Sequence, residues 1–337
     1  MKSRDRVIRA INFKQPDRVP ISHAILPATQ IKYGRALDDI LACVHEDFGW
    51  SELPERPSDE LPAIYRAGRH YDDFGTLWDV SQEGICGIPI EHPLADWRTY
   101  AKFRWPEVAA GPPNHRFYSG HMVGHAGNHY ARGGWFTFFE VMQQLRGMED
   151  LLMDLACGDQ RVYRLRDDLL EFNMKSLDAW CAMEYDGLHF ADDWGTQSSL
   201  MVSPECWRRF FKPAYQAMFD KVLAAGMDVH FHSDGYIPEI IPDLIDMGVK
   251  VINCQVALIG LEKIKRDFAG RVCFRTELDR QNILPFASPA QVRDHILEVF
   301  SHVGTADGGI IACGEIGPDV PLENIRAMYE TFGSYKY

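Results

Sequence analysis

The chain has 337 residues, 46% of them apolar, and a formal charge of −13, so it can build a sizeable core as one large barrel or as two ordinary domains. The acidic balance argues against a nucleic-acid groove or an anionic membrane surface as the main partner, since both call for clustered Lys and Arg. Eight cysteines (Cys43, Cys86, Cys157, Cys181, Cys206, Cys254, Cys273, Cys313) are scattered without a C-x-x-C pair, as reduced thiols are. With neither a signal peptide nor a membrane span at the start, a cytoplasmic protein is expected.

In chain order, Ser3 to Phe13 reads as a short helix capped by Ser3 and stopped at Gln15-Pro16-Asp17, and Arg18 to His23 reads as a first strand. From Ala28 to Pro113 the pattern is irregular and rich in aromatics and prolines, with a helix around Leu37–Phe48 and a strand around Phe74–Val80. This stretch is expected to be an excursion around the entrance to a core, not a domain of its own. Beyond Pro113 the order becomes regular: strand Tyr118–Val123, helices Phe136–Cys157 and Gln160–Met183, strand Gly187–Ala191, helix Pro204–Ala225 and strand Asp228–His232. Helix Ile237–Met247, strand Val249–Asn253, helix Leu261–Phe268, strand Arg271–Arg275, helix Pro289–Val303, strand Gly309–Cys313 and helix Pro321–Phe332 complete the chain. Strand sites at Val19, Phe74, Tyr118, Gly187, Asp228, Val249, Arg271 and Gly309, most followed by a helix, predict a single α/β domain, a (β/α)8 TIM barrel over 1–337 with an elaborated N-terminal segment at 28–113. An open doubly wound sheet would announce a nucleotide site with G-x-G-x-x-G after its first strand, and none is there.

In such a barrel the chemistry sits at the carboxyl ends of the strands. The most concentrated stretch is Asp228-Val-His230-Phe-His232-Ser-Asp234-Gly235, whose period of two puts Asp228, His230, His232 and Asp234 on one side. Polar tips also follow the other late strands: Asp192-Asp193-Trp194-Gly195-Thr196-Gln197, Arg275-Thr-Glu277 and Cys313-Gly-Glu315. Adjacent carboxylates at 192 and 193 suit proton handling, and they equally suit binding an amine or capping a turn. Glu140 sits in a strongly periodic helix and either points inward or faces solvent. His232 and Cys313 are brought to the same mouth by barrel closure, and imidazole with thiolate selects zinc; alternatively Cys313 is a small buried hydrophobe at a tight turn.

The opening Arg4-Asp-Arg-Val-Ile-Arg-Ala-Ile-Asn-Phe-Lys-Gln-Pro-Asp-Arg-Val-Pro20, Asp192-Asp193-Trp194, His232-Ser-Asp-Gly235 and Cys313-Gly with Pro321-Leu-Glu-Asn-Ile325 together resemble the uroporphyrinogen decarboxylase superfamily. More narrowly they resemble its corrinoid-dependent methyltransferase branch, which implies a TIM barrel and agrees with the strand count. The zinc enzymes of that branch use a His-x-Cys pair and a Cys-Gly, so the resemblance implies His232 and Cys313 as ligands, with either Asp234 or His230 as the third. Such a set is harder than two thiolates and a histidine, which favours withdrawing a methyl group from an oxygen or nitrogen donor over activating a thiol.

The decarboxylase branch carries R-Q-A-G-R-Y after its first strand, whereas this chain has His23-Ala-Ile-Leu-Pro-Ala-Thr-Gln-Ile-Lys-Tyr33, which disfavours a polyanionic substrate. Asp193, with Asp192 or Glu140, is expected to orient the substrate or return a proton; Gln197, Arg275 and Glu277 are expected to contact it. Asp228-Val-His230-Phe-His232-Ser233 lacks the glycine of the D-x-H-x-x-G corrinoid motif, so the corrinoid is expected on a transient partner protein. Trp50, Tyr71, Trp78 and Trp97 are candidates for its docking face, and a homo-oligomer remains compatible with the sequence. The competing readings are a metal-free decarboxylase with Asp193 as the proton donor, and a non-catalytic barrel holding a small ligand.

Overall fold

A computed structural model describes residues 1–48, 61–108, 128–183 and 185–337; the expected strand Tyr118–Val123 and Trp50 lie outside them. In order the elements are α1 (Ser3–Ile11), β1 (Ala24–Ile25), α2 (Pro27–Tyr33), α3 (Arg35–Leu41), β2 (Gly68–Tyr71), β3 (Leu77–Val80), β4 (Ile88–Glu91), β5 (Arg132–Phe136), α4 (Phe139–Arg146), α5 (Met148–Cys157), α6 (Gln160–Cys181) and β6 (Gly187–Ala191). There follow α7 (Pro204–Cys206), α8 (Lys212–Ala224), β7 (Asp228–Ser233), α9 (Ile241–Asp246), β8 (Val249–Cys254), α10 (Val256–Ile259), α11 (Leu261–Asp267) and β9 (Cys273–Thr276). The series ends with α12 (Ile283–Phe286), α13 (Pro289–Val303), β10 (Ile310–Ile311), β11 (Glu315–Ile316) and α14 (Leu322–Ser334).

Strands β5 to β10 form one parallel sheet in sequence order. Ile21 bridges Ala312 in parallel and β1 pairs with β11, so the first and last strand lines lie side by side. The remaining gap is filled by Asp47, whose N–H donates to the Ile21 carbonyl at 2.9 Å and whose carbonyl accepts from Tyr130 N–H at 3.0 Å. The ring therefore closes as a TIM barrel. The opening motif accounts for this closure: the fully buried Asp47 carboxylate accepts from Arg6 at 2.6 Å, from Arg18 at 2.8 Å and from Ile21 N–H at 2.8 Å. Removing one partner of such a buried pair typically costs about 3–5 kcal/mol. Inside the ring Val7, Ile11, Phe48, Tyr130, Val251, Cys273 and Ile311 pack into an apolar floor. Outside it Phe231 meets Tyr215 of α8 at 5.7 Å between ring centres, as the period of two in β7 requires.

Several expectations change. The strand near Phe74 exists as β3, but it pairs antiparallel with β2 and β4 in a separate three-stranded sheet and is no barrel strand. The barrel strand missed by sequence reading is β5, Arg-Gly-Gly-Trp-Phe, because its two glycines imitate a loop. Gly133 is needed there: a Cβ would come within 2.5 Å of the Trp180 ring. The long helix expected over Phe136–Cys157 is split at Gly147, at φ 88°, into α4 and α5. Ser3 is the first residue of α1 and Lys2 precedes it without a side-chain cap, so the expected cap is absent. Helix α8 opens through a π-helical segment, Trp207–Phe211.

Candidate active site and metal centre

His232 lies at the mouth end of β7, where its ring is fixed from behind. Asn253 Nδ2 donates to the Arg275 carbonyl and to Glu277 Oε2, each at 2.9 Å, so Asn253 Oδ1 must face His232 Nδ1 at 2.8 Å. An amide oxygen only accepts, hence Nδ1 carries the proton in the neutral ring and Nε2 presents its lone pair to the mouth. That lone pair points at two carboxylates: Asp193 Oδ1 at 3.6 Å and Asp234 Oδ1 at 3.7 Å. Asp193 is held by accepting the Asp234 N–H at 2.8 Å. Asp234 Oδ1 is buried and has no hydrogen-bond partner, while Oδ2 accepts from Arg280.

One ligating atom each from Asp193, His232 and Asp234 lie within 4.8 Å of one another. For bonds of about 2.0 Å at tetrahedral angles, ligand atoms should stand about 3.3 Å apart, and the two distances from His232 Nε2, 3.6 and 3.7 Å, come close to that. An imidazole whose second nitrogen donates to an oxygen is the usual arrangement for a metal-bound histidine. The three residues therefore fit a zinc ion with a fourth position open. The same neighbours govern protonation. Burial works against charge on His232, but Asp234, Asp193 and Glu277 outweigh it and raise its proton affinity. Asp193 is raised by burial and by the Asp234 charge.

Asp192 and Asp193 are neighbours in sequence but serve opposite sides of the strand end. Asp192 is fully buried, and its carboxylate accepts from Phe138 N–H at 2.8 Å, Glu140 N–H at 2.8 Å and Tyr215 Oη at 2.5 Å. It caps the start of α4 rather than opening to the mouth, although burial pushes its carboxyl up to about 7. The cap carries Glu140 inward, where burial and then the Asp193 and Asp192 charges push its carboxyl well above the usual range. Gly195 and Gly235 let the two neighbouring loops cross, since a Cβ on Gly195 would fall 2.3 Å from the Tyr236 nitrogen.

Glu277 is 3% exposed and is pushed up to about 7 by burial and the nearby Glu315 charge. Arg280, which sequence reading missed, donates to both Asp234 and Glu315 and stands 3.8 Å from Glu277. It belongs to the loop after β9, where no strand periodicity marks it. Cys86, also missed, reaches the same region from the turn between β3 and β4; burial, Glu140 and Asp193 push its thiol up to about 11. Gln197 is exposed on the loop after β6, and no described contact joins it to this group.

Cys313 and His230 do not join the three-residue group among the described residues. Each precedes a mouth residue by two positions on the same strand line, which places it about 6.6 Å deeper. Cys313 is fully buried with its backbone bonded to Thr276 Oγ1, and burial pushes its thiol up to about 11. His230 Nε2 lies 2.9 Å from Tyr130 Oη, and burial with Arg132 and Arg275 keeps the ring neutral by holding its pKa well below the usual value. Of the aromatics considered for docking, Trp78 is 5% exposed and bonds Asp72, Trp97 bonds Asp154, and only Tyr71 is strongly exposed among those described.

A parallel barrel with acids, imidazole and a guanidinium converging at the carboxyl ends of its strands defines an enzyme-type TIM barrel. The uroporphyrinogen decarboxylase (URO-D) family profile matches residues 131–335, and the chain belongs to that family. Among solved structures, a methyltransferase from Methanosarcina mazei shares the fold over 99% of this chain and 98% of its own, with a TM-score of 0.66 at 15% identity. A B12-independent methionine synthase from Shewanella sp. W3-18-1 matches over 51% of this chain and 53% of its own, at 13% identity and a TM-score of 0.35, too low to bear on fold or function. No curated protein sequence matches the chain. No helix among the described residues is long and apolar enough to cross a membrane.

Proposed function

We propose that the protein is a metal-dependent methyltransferase, moving a methyl group from a small O- or N-methylated donor to a corrinoid carried by a separate protein. The observation that carries this reading is the convergence of Asp193, His232 and Asp234, with Asp234 Oδ1 buried and unpartnered beside the His232 lone pair. Zinc bound there supplies Lewis-acid polarisation of the donor heteroatom. Glu140 is the proton source: burial and the Asp193 and Asp192 charges favour its protonated form, and it sits beside Asp193, so it can hand a proton to the heteroatom that loses the methyl group. Arg280 ties Asp234 to Glu315 and fixes the ligand carboxylate. Asn253 fixes the His232 ring. The fold accommodates the chemistry, since the Methanosarcina protein of this architecture is described as a methyltransferase.

A second reading, metal-free decarboxylation with Asp193 protonating a carbanion, draws on the family's description and on the raised Asp193 carboxyl. Metal content and corrinoid dependence separate the two. The purified chain is expected to hold about one zinc by plasma emission spectrometry. With reduced corrinoid protein and a panel of methoxy and N-methyl compounds, it should remove the cob(I)alamin absorption band only when donor and chain are both present. Zinc-free protein that takes up none on dialysis, or release of carbon dioxide from a carboxylic substrate without corrinoid, would overturn the methyl-transfer reading.

A further inference from the structure

Beneath the acidic mouth the barrel turns positive. Arg275 is 4% exposed and Arg132 is fully buried, both inside the ring. Arg275 Nη2 donates to Asn253 Oδ1 at 2.6 Å, but its Nε and Nη1 have no hydrogen-bond partner. The nearest acid in sequence does not help: Glu277 turns one oxygen to Asn253 and the other toward Arg280. No carboxylate among the described residues forms an ion pair with Arg275. Arg132 is close enough that, after burial, the Arg275 charge is the next factor opposing its own, and its pKa is pushed down to about 9.

A buried guanidinium with open donors and no carboxylate paired to it, such as Arg275, is costly unless an anion completes it. Nη2 carries two N–H groups and spends one on Asn253, so its other lies parallel to an open N–H of Nε or Nη1, and such an edge matches a carboxylate in geometry and charge. We propose that Arg275, backed by the charge of Arg132, binds the carboxylate of a small organic acid in the barrel interior. The substrate then stands with its anionic end down and its methylated end at Asp193, His232 and Asp234. Arg275 Nη2 and His232 Nδ1 both reach Asn253 Oδ1, at 2.6 and 2.8 Å, so the carboxylate and the methylated heteroatom belong to one small molecule. A single anionic group is also consistent with the absence of the arginine-rich element that a polyanion would need. The orientation rests on the methyl-transfer reading; the carboxylate site does not.

The test is the melting temperature of the full chain in butyrate, in butyramide, and in sodium chloride of matched ionic strength, with and without prior chelator treatment. Butyrate at about ten times its dissociation constant should raise the melting temperature by about 2 °C, with butyramide and salt inert and the chelator without effect on the shift. Arg275→Met should abolish the shift while melting no lower than the wild type in plain buffer, because it removes a buried charge that no carboxylate among the described residues balances. Arg275→Lys should retain part of it. Equal shifts with butyrate and butyramide would overturn the site, as would a shift surviving in Arg275→Met. So would an Arg275→Met chain that fails to fold, since the guanidinium would then have a structural partner. None of these readings depends on zinc content or turnover, so the carboxylate site and the methyl-transfer assignment fail separately.

Discussion

Asp192→Asn separates a structural aspartate from a catalytic one at adjacent positions. The native carboxylate accepts three donors: Phe138 N–H and Tyr215 Oη on Oδ2, and Glu140 N–H on Oδ1. An asparagine must place its NH2 against at least one of them. The least costly orientation turns the NH2 toward Glu140 N–H and keeps the oxygen on the other two. One hydrogen bond to a charged acceptor is lost, at about 1.5–3 kcal/mol, and a buried N–H is left facing another donor. The total is about 2–4 kcal/mol. Urea unfolding followed by circular dichroism should be run at pH 8.5, above the value of about 7 to which burial lifts this carboxyl, so that the wild type is charged. Tyr215→Phe, which deletes a single donor and leaves the carboxylate two, should cost about 1.5 kcal/mol under the same conditions. Zinc stoichiometry should be unchanged in Asp192→Asn, because neither oxygen faces the mouth. A stability loss under about 0.5 kcal/mol, on the scale of ordinary surface substitutions, would refute the capping argument.

Asp193→Ala and Asp234→Ala should each weaken zinc binding by at least about tenfold in a competitive chelator titration, whereas Cys313→Ala should leave it within about twofold; the reverse ranking would move the metal one tier deeper. His23 is fully buried against Tyr329, and burial pushes its pKa down to about 3. Below the unfolded value of 6.5 the unfolded chain takes up a proton that the native ring refuses, so this contribution is complete above pH 6.5 and is lost as pH falls toward 3. The slope is at most about 1.4 kcal/mol per pH unit. His23→Gln should flatten the urea-measured stability profile over that window, and parallel profiles would contradict the assignment. Gly195→Ala should cost about 3 kcal/mol in the same unfolding assay, since the added Cβ would meet the Tyr236 and Gly235 backbone at 2.3 and 2.5 Å.

The sequence by itself determined the barrel and pointed to Asp193, His232 and Asp234 near its mouth, but not to Arg280 or Cys86. Alternation along Asp228–Ser233 requires His230 and His232 to face inward while Val229 and Phe231 meet the helices, because successive strand side chains take opposite sides whatever the surroundings. The same rule already separates Asp192 from Asp193. Periodicity could not say which of the two faces the mouth, nor that Phe74–Val80 pairs antiparallel away from the barrel, because alternation marks a strand but not its neighbours. Glycines at 133 and 134 hid β5, since the reason for Gly133 is the Trp180 ring, which comes from a helix nearly fifty residues later, and the reason for Gly134 is a φ of 75° beside the Phe136 ring. Tertiary structure alone brought Asp193 from the end of β6 to His232 and Asp234 at the end of β7, and Arg280 from the loop after β9 onto Asp234. It also set Arg275 two residues deeper than Glu277 with its donors open. These are distances between side chains on different strands, fixed by barrel closure and stagger, and no local pattern in the chain encodes them.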